Sequence, residues 1–589
     1  MRRSVVIASV LVFLLAACQP QSKTRITYDL IIRHGMIYDG SGDAPVAADV
    51  GVRGRQIAKV GDLSREHASS EVDAQGLAVA PGFINMLSWA PDDLFVDGRS
   101  MSDIKQGVTL EVFGEGSSLG PLTPKMRDDE LAHQGDLKFP IDWLGFGEGM
   151  QALVKHGVSP NIASFVGATT LRVHEVGYAD RAPTPDELAR MQELARQAMR
   201  EGAVGLGSAL MYAPAFYAKT DELIALTQAV GESGGGYISH IRSEGNTLLQ
   251  SIDELIRIAE TARVHGELYH FKAAGEQNWS KQPQAIAKIE AGRARGLDIS
   301  ANMYTYTAAA TGLDAAMPPW VQEGGLEEWI KRMRDPAIKA RVIRDMQTPT
   351  DAWENTLRNA GKAENVLLVA FKNPALKPLT GKTLAEVAQQ RGVSPEEAAI
   401  DLVIEDHSRV GAVYFLMSEY NVKQAIALPW MTFDSDEGSH APEGVFLKSQ
   451  PHPRAYGNFA RLLGKYVRDE HAITLQEAIR RLTALPAHNL KLRERGELKA
   501  GYFADIVVFD PATIGDRATY ARPQQFATGV RDVFVNGVQV LKDGEHTGAK
   551  PGQFVRGPGW SGWPKSAMHR CMDTGKPIGK CLDAEPIGE

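Results

Sequence analysis

"ISHIRSEGNTLLQSIDELIRIAETARVHGELYHFKAAG", residues 238–275, repeats one pattern twice: a short apolar run, a histidine, then charged or small residues. His240 closes the first run and His270 the second. Between them Leu248, Ile252, Leu255, Ala259 and Ala262 recur at helical spacing and make one apolar face. Strand, helix and strand over about 30 residues is the length of a βαβ unit, whose right-handed crossover makes the strands parallel. The two histidines then stand at the same end of nearby strands, the C-terminal end.

The pattern extends in both directions. Downstream, a helix near "PQAIAKIEAGRARG" and a strand in "LDISANMYTYT" bring Tyr304 to the matching position. Upstream, "TPDELARMQELARQAMREG" (184–202) reads as a helix with Thr184 as cap, Pro185 at its first position and Glu187 closing a capping box. "AVGLGSAL" then reads as a buried strand. Repeated units of this size predict an α/β fold, a (β/α)8 TIM barrel whose catalytic groups gather at the strands' C-terminal ends. We place it at residues 81–484. About 120 residues separate Tyr306 from "ALPWMTFDSDEG", too many for one connection, so an inserted subdomain is expected at about 312–425, before the last barrel strand. Short strands at both chain ends, "YDLIIRHGMIYDGSG" and "GYFADIVVFDP" among them, predict a small β-sandwich built from residues 28–80 and 485–548. Residues 549–589 form a tail whose tryptophans are expected on that β domain.

The chain has 589 residues, 43% hydrophobic and 23% charged, with a net charge of -8. That is a globular composition, without the basic excess of a nucleic-acid binder. "MRRSVVIASVLVFLLAACQP" has the basic start, apolar stretch and small residues of a secretory signal. "LAAC" is similar to a bacterial lipobox, which implies a signal peptide over 1–18, lipid on Cys18 and a linker over 19–27. The expected location is the periplasmic side of the envelope, at the outer membrane since Gln19 follows the cysteine. Cys571 and Cys581 are the other two cysteines; they form a disulfide in an oxidising compartment or remain free thiols.

Two further strand ends carry carboxylates: "GVTLEVFGEGSS" ends at Glu115 and "PWMTFDSDEGS" at Asp434 to Asp436. Two imidazoles and a carboxylate with one open position make a catalytic zinc set, which brings bound water to a pKa of roughly 7. Taken singly, either histidine is as readily structural, and Glu115 could cap a helix.

At "VAPGFI", "SHIRSEG", "HFKAAG", "SDEG", "HPRAYGNFARLLGKYVR" and "LTALPA", the chain resembles the N-acyl-D-amino-acid deacylases (D-aminoacylases) of the amidohydrolase superfamily, from about residue 28 to 548. The resemblance implies that His240 and His270 bind a tightly held zinc, with Glu115 where better-known members carry a cysteine ligand. It implies Asp436 as the group that activates water, and Lys272, Arg454 and Tyr304 as the pocket for the substrate's carboxylate. One departure matters: where the superfamily has His-x-His, this chain has Leu87-Ser88-Trp89, two bulky groups expected to fill a second metal's space. Asn85 and Asn302 replace common aspartates, and Ala168 replaces a histidine. One ion per subunit is therefore expected. The expected reaction is hydrolysis of a non-peptide amide bond in a small N-acyl amino acid. The alternatives are a catalytically silent binding lipoprotein and a hydrolase of other peptides or cyclic amides.

Overall fold

Eight short strands run parallel at the centre of the computed structural model, which describes residues 27–562. They are β1 (Phe83–Asn85), β2 (Val108–Phe113), β3 (Asn161–Ser164), β4 (Gly205–Ala209), β5 (Gly236–His240), β6 (Gly266–Leu268), β7 (Ile299–Met303) and β8 (Met431–Phe433). β1 to β3 pair in succession, as do β4 to β8. β3 runs on through Phe165 into Val166–Gly167, which pairs with β4. At the other side, the Met86 amide donates to the Phe433 carbonyl at 3.2 Å, joining β8 to the chain leaving β1. Every residue of β2 to β8 is buried, as expected of parallel strands covered on both faces.

Two of the helices read from the sequence show why they form. Pro185–Glu201 is capped by Thr184 and Glu187 and stops at Gly202, which is left-handed (φ 113°). Leu248–Ala262 buries Leu248, Ile252, Leu255 and Ala259. Each fully buried aliphatic side chain contributes about 1.5–3 kcal/mol, so this one face is enough to fix the helix between β5 and β6.

Strands from both chain ends meet in one nine-stranded sheet. The seam is the antiparallel pairing of Ala78–Pro81 with Ile506–Phe509. The insertion has its own three-stranded antiparallel sheet, Ala309–Gly312, Val366–Ala370 and Gly411–Tyr414. It also has its own apolar core, including Trp329, Met333, Val342, Leu368, Leu402 and Val403. The expected bounds of 312–425 need correcting. The first strand begins at Ala309, and the helix Glu419–Ile426 belongs to the parallel core, where it buries Val422, Ala425 and Ile426. The insertion thus spans about 309–417.

The expected seat of the tail is also corrected for its described part; Trp563 and the residues after it lie outside the described residues. Residues 552–561 lie against the parallel core rather than the nine-stranded sheet. The Val555 amide donates to the Ile162 carbonyl (2.8 Å), Gly557 to Gly202 (2.9 Å) and Ser561 to Arg200 (3.0 Å). Phe554 packs on Phe146, and the Arg556 guanidinium lies over the Trp560 ring. Backbone bonds to the N-terminal side of the strands fix this course, a signal that composition does not carry. Cys18, Cys571 and Cys581 lie outside the described residues.

Candidate active site

The strand ends bring three of the expected ligands together. Glu115 Oε1 lies 2.9 Å from His270 Nε2 and 3.1 Å from His240 Nδ1, and the two ring nitrogens are 3.0 Å apart. All three side chains are buried. His240 ends β5, His270 follows β6 by two residues, and Glu115 follows β2 by two. Glu115 sits between Gly114 and Gly116, both left-handed (φ 107° and 73°). A Cβ at Gly114 would come within 2.4 Å of the Phe165 carbonyl oxygen. Only glycine lets the chain turn so tightly that the carboxylate points inward.

Three acceptors packed this closely repel one another unless a proton or a cation lies between them. Burial would raise the Glu115 carboxyl, but contact with His240 and His270 outweighs it and holds the group below the usual carboxylate range. Burial and Lys272 oppose protonation of His270, yet Glu244, Asp436 and Glu115 push its imidazole up to about 10. The donor set fits a divalent ion: nitrogen, nitrogen and oxygen, with a tetrahedral position left open. His270 Nδ1 lies 2.9 Å from Glu244 Oε1, and Lys272 Nζ donates to the same oxygen at 2.6 Å. A carboxylate on the far nitrogen fixes a ligand's ring and tautomer. Asn302 adds a second brace, its Oδ1 accepting from the His270 amide at 2.7 Å.

The fourth expected member stands apart from this triangle. Asp436 lines the same cavity, but its Oδ2 pairs with Arg454 Nη2 at 2.9 Å and its Oδ1 accepts from the Trp89 indole at 3.2 Å. Burial, only partly offset by Arg454 and His270, raises its carboxyl. Asp434, two residues earlier, is buried with no hydrogen-bond partner on either oxygen. Lys272 and Arg454 flank the Tyr304 ring, at 5.4 and 4.3 Å from its centroid. The Tyr304 hydroxyl and Arg454 Nε and Nη1 are buried without protein partners.

Leu87 and Trp89, the two bulky groups expected in a second metal's space, take different positions. β1 ends at Asn85, so strand alternation does not govern residues 87 and 89. Leu87 joins the apolar interior, while Trp89 is half exposed, lines the cavity and serves Asp436 as a donor. His440 and His452 are held by protein groups: His440 Nε2 lies 3.2 Å from Asp93 Oδ2, and His452 Nε2 donates to the Ala308 carbonyl at 3.0 Å.

Two residues that shape the site went unassigned in the sequence. Glu244 lay inside the quoted "SHIRSEG", where its place in the strand-end loop was a usable signal. Glu354, from the insertion, gave none. Its Oε2 accepts from the Glu244 and Gly245 amides (2.6 and 3.1 Å), and its Oε1 from Asn359 (2.9 Å).

Beneath the cavity lies a buried acid pair. Glu111 accepts from Ser88 and Ser100, and Asp103 Oδ1 from Asn85 at 3.1 Å, while Asp103 Oδ2 has no partner. Burial pushes the Asp103 carboxyl up to about 7. A raised acid contributes stability that is complete below its ordinary pKa and lost as pH rises through the folded value. Thermal denaturation should therefore show the wild type losing about 1 kcal/mol per pH unit between about pH 4 and 7 relative to Asp103→Asn, and no further loss above 7. Parallel pH profiles for the two proteins would contradict this.

Residues 158–541 match the model of the Amidohydrolase family. The chain belongs to this family. A D-aminoacylase of Alcaligenes xylosoxydans xylosoxydans is 34% identical over 533 residues, covering 90% of this amidohydrolase and 97% of the relative. A solved D-aminoacylase structure, whose subject is one-metal activation and second-metal attenuation at a binuclear metal centre, superimposes with a TM-score of 0.74. It is 32% identical, covering 90% of this chain and all of that one. The N-acyl-D-glutamate deacylase of Bordetella bronchiseptica, complexed with zinc and a phosphonate inhibitor, gives the same TM-score at 29% identity. There the coverage is 90% of this chain and 99% of that one. This amidohydrolase is therefore a hydrolase.

Proposed function

We propose that the protein removes the acyl group from N-acyl-D-amino acids, using one zinc ion on a closed (β/α)8 barrel flanked by a β-sandwich. The observation that carries this reading is the triangle of Glu115, His240 and His270 in one cavity with Asp436, Lys272 and Arg454. Bound there, the ion would supply Lewis acidity toward water and the amide carbonyl.

The chain's own groups supply positioning and proton transfer. The Asp436 carboxylate takes a proton from the attacking water and returns it to the departing nitrogen, so that amide and water become carboxylate and amine. A carboxyl raised by burial suits this exchange better than an ordinary one. Arg454 Nε and Nη1, lacking protein partners, offer buried charge-assisted hydrogen bonds to the substrate's carboxylate. Lys272 and the Tyr304 hydroxyl complete that end of the cavity. Hydrolysis of N-acetyl-D-amino acids, against their L-enantiomers, tests the reading. A purified, zinc-loaded protein that binds these compounds without cleaving them would support the silent binding lipoprotein instead.

The cavity, about 720 Å³, also indicates the side chain. Its far wall comes from the insertion and sets apolar groups, Leu326, Trp329 and Val369 among them, beside polar ones such as Thr311 and Gln322. The cation on that wall, Arg409, is paired with Asp314 at 2.8 Å and lies over the Tyr212 ring. An acidic side chain would find there only a guanidinium already shared with Asp314. N-acetyl-D-leucine or -methionine should therefore exceed N-acetyl-D-glutamate in kcat/KM by roughly 10-fold or more, since a buried unpaired charge is costly. The reverse order would reject this assignment. By its leader sequence we also place the protein on the periplasmic side, anchored through lipid on Cys18; mass spectrometry of the mature N-terminus tests this.

A further inference from the structure

A second group of metal-type ligands lies outside the cavity. His133 ends the helix Pro124–His133 in the loop after β2, Glu327 begins the insertion helix Leu326–Met333, and His407 caps the insertion helix Pro395–Asp406. Glu327 Oε1 lies 3.2 Å from His133 Nε2 and 2.6 Å from His407 Nε2. The three side chains are partly exposed.

Hydrogen bonding fixes one tautomer. His133 Nδ1 is 2.7 Å from the Asp129 carbonyl oxygen, which can only accept, so Nδ1 carries the proton. In the neutral ring, Nε2 then directs a lone pair at a carboxylate oxygen. Two acceptors face each other, an arrangement that calls for a second ring proton or a cation. Ligands held about 2.0–2.1 Å from a tetrahedral zinc stand about 3.3 Å apart, close to the His133–Glu327 spacing, while the His407–Glu327 contact of 2.6 Å would open on binding. The Nδ1–carbonyl bond is itself the support that a ligating histidine commonly has.

We propose that His133, Glu327 and His407 bind a second divalent cation of the zinc class, distinct from the cavity site. Water would complete its coordination. Such an ion joins the loop that follows the Glu115 segment to the helix bearing Leu326 and Trp329, both of which line the cavity. Other contacts follow the same seam: Asp136 pairs with Lys377, and Lys372 Nζ donates to the His133 carbonyl at 3.4 Å. The ion would clamp the insertion over the cavity without touching substrate.

The test is zinc titration of the chelator-stripped full chain against a chromophoric competitor. Wild type should take up two ions per chain in two affinity classes. His133→Ala combined with His407→Gly should weaken the looser class at least 100-fold and leave the tighter one intact; glycine suits the left-handed backbone at position 407 (φ 51°). His270→Ala should show the opposite loss, so failure of the cavity site is separable from failure of this one. One ion per chain in the wild type, or two unchanged classes in the double variant, would overturn the proposal.

Discussion

Replacing His270 by alanine should remove the cavity's metal ion and reduce kcat/KM by at least about 10³. The substitution deletes one corner of the triangle, whose edges are 2.9–3.1 Å. It also leaves Glu244 and Lys272 without the ring between them and the ligand set. A catalytic ion supplies several kcal/mol of charge stabilisation, and each 1.4 kcal/mol is tenfold in rate. Elemental analysis together with N-acetyl-D-amino-acid hydrolysis measures both effects. Retention of the tight ion and of activity in His270→Ala would remove the proposed centre. Glu115→Gln should act in the same direction more weakly, because an amide oxygen is a poorer ligand than a carboxylate.

Asp436→Asn should separate proton transfer from metal binding. The carboxylate lies outside the triangle and is held by Arg454 and Trp89. Asparagine keeps an acceptor for the indole and loses the ability to take a proton. We expect kcat to fall by about 10²–10⁴ with metal content unchanged. Wild-type kcat/KM should decline on acidification, because the base must be ionised. Burial raises this carboxyl, so the decline should begin above the ordinary aspartate range near 3.9. The variant's residual activity should lack that limb. Loss of metal along with rate would instead make Asp436 a ligand.

The parts of this molecule that could be read in advance are those governed by local periodicity. His240, His270 and the helix between them declared a βαβ unit because apolar spacing and strand length are short-range properties. Glu115 could be proposed because it ends an apolar strand. What could not be read depends on contacts between remote segments. Trp89 as a donor to Asp436 requires β1 and β8 to be neighbours, and the pairing of Arg409 with Asp314 requires the insertion's sheet. Glu354, from a helix-rich stretch with ordinary composition, reaches the strand-end loop only through the tertiary fold. The tail's course along the strand entrances is held by backbone hydrogen bonds, which carry no residue-type signature.

Glu354 has a practical consequence for anyone redesigning this enzyme. Because one carboxylate from the insertion receives the main-chain amides of Glu244 and Gly245, the roof of the cavity and its catalytic floor share a keystone. A chimera that transplants residues 309–417 from another protein to alter selectivity would also exchange that support. Unless the donor brings an equivalent acceptor, the graft would loosen the turn carrying Glu244, and selectivity could not be changed independently of turnover.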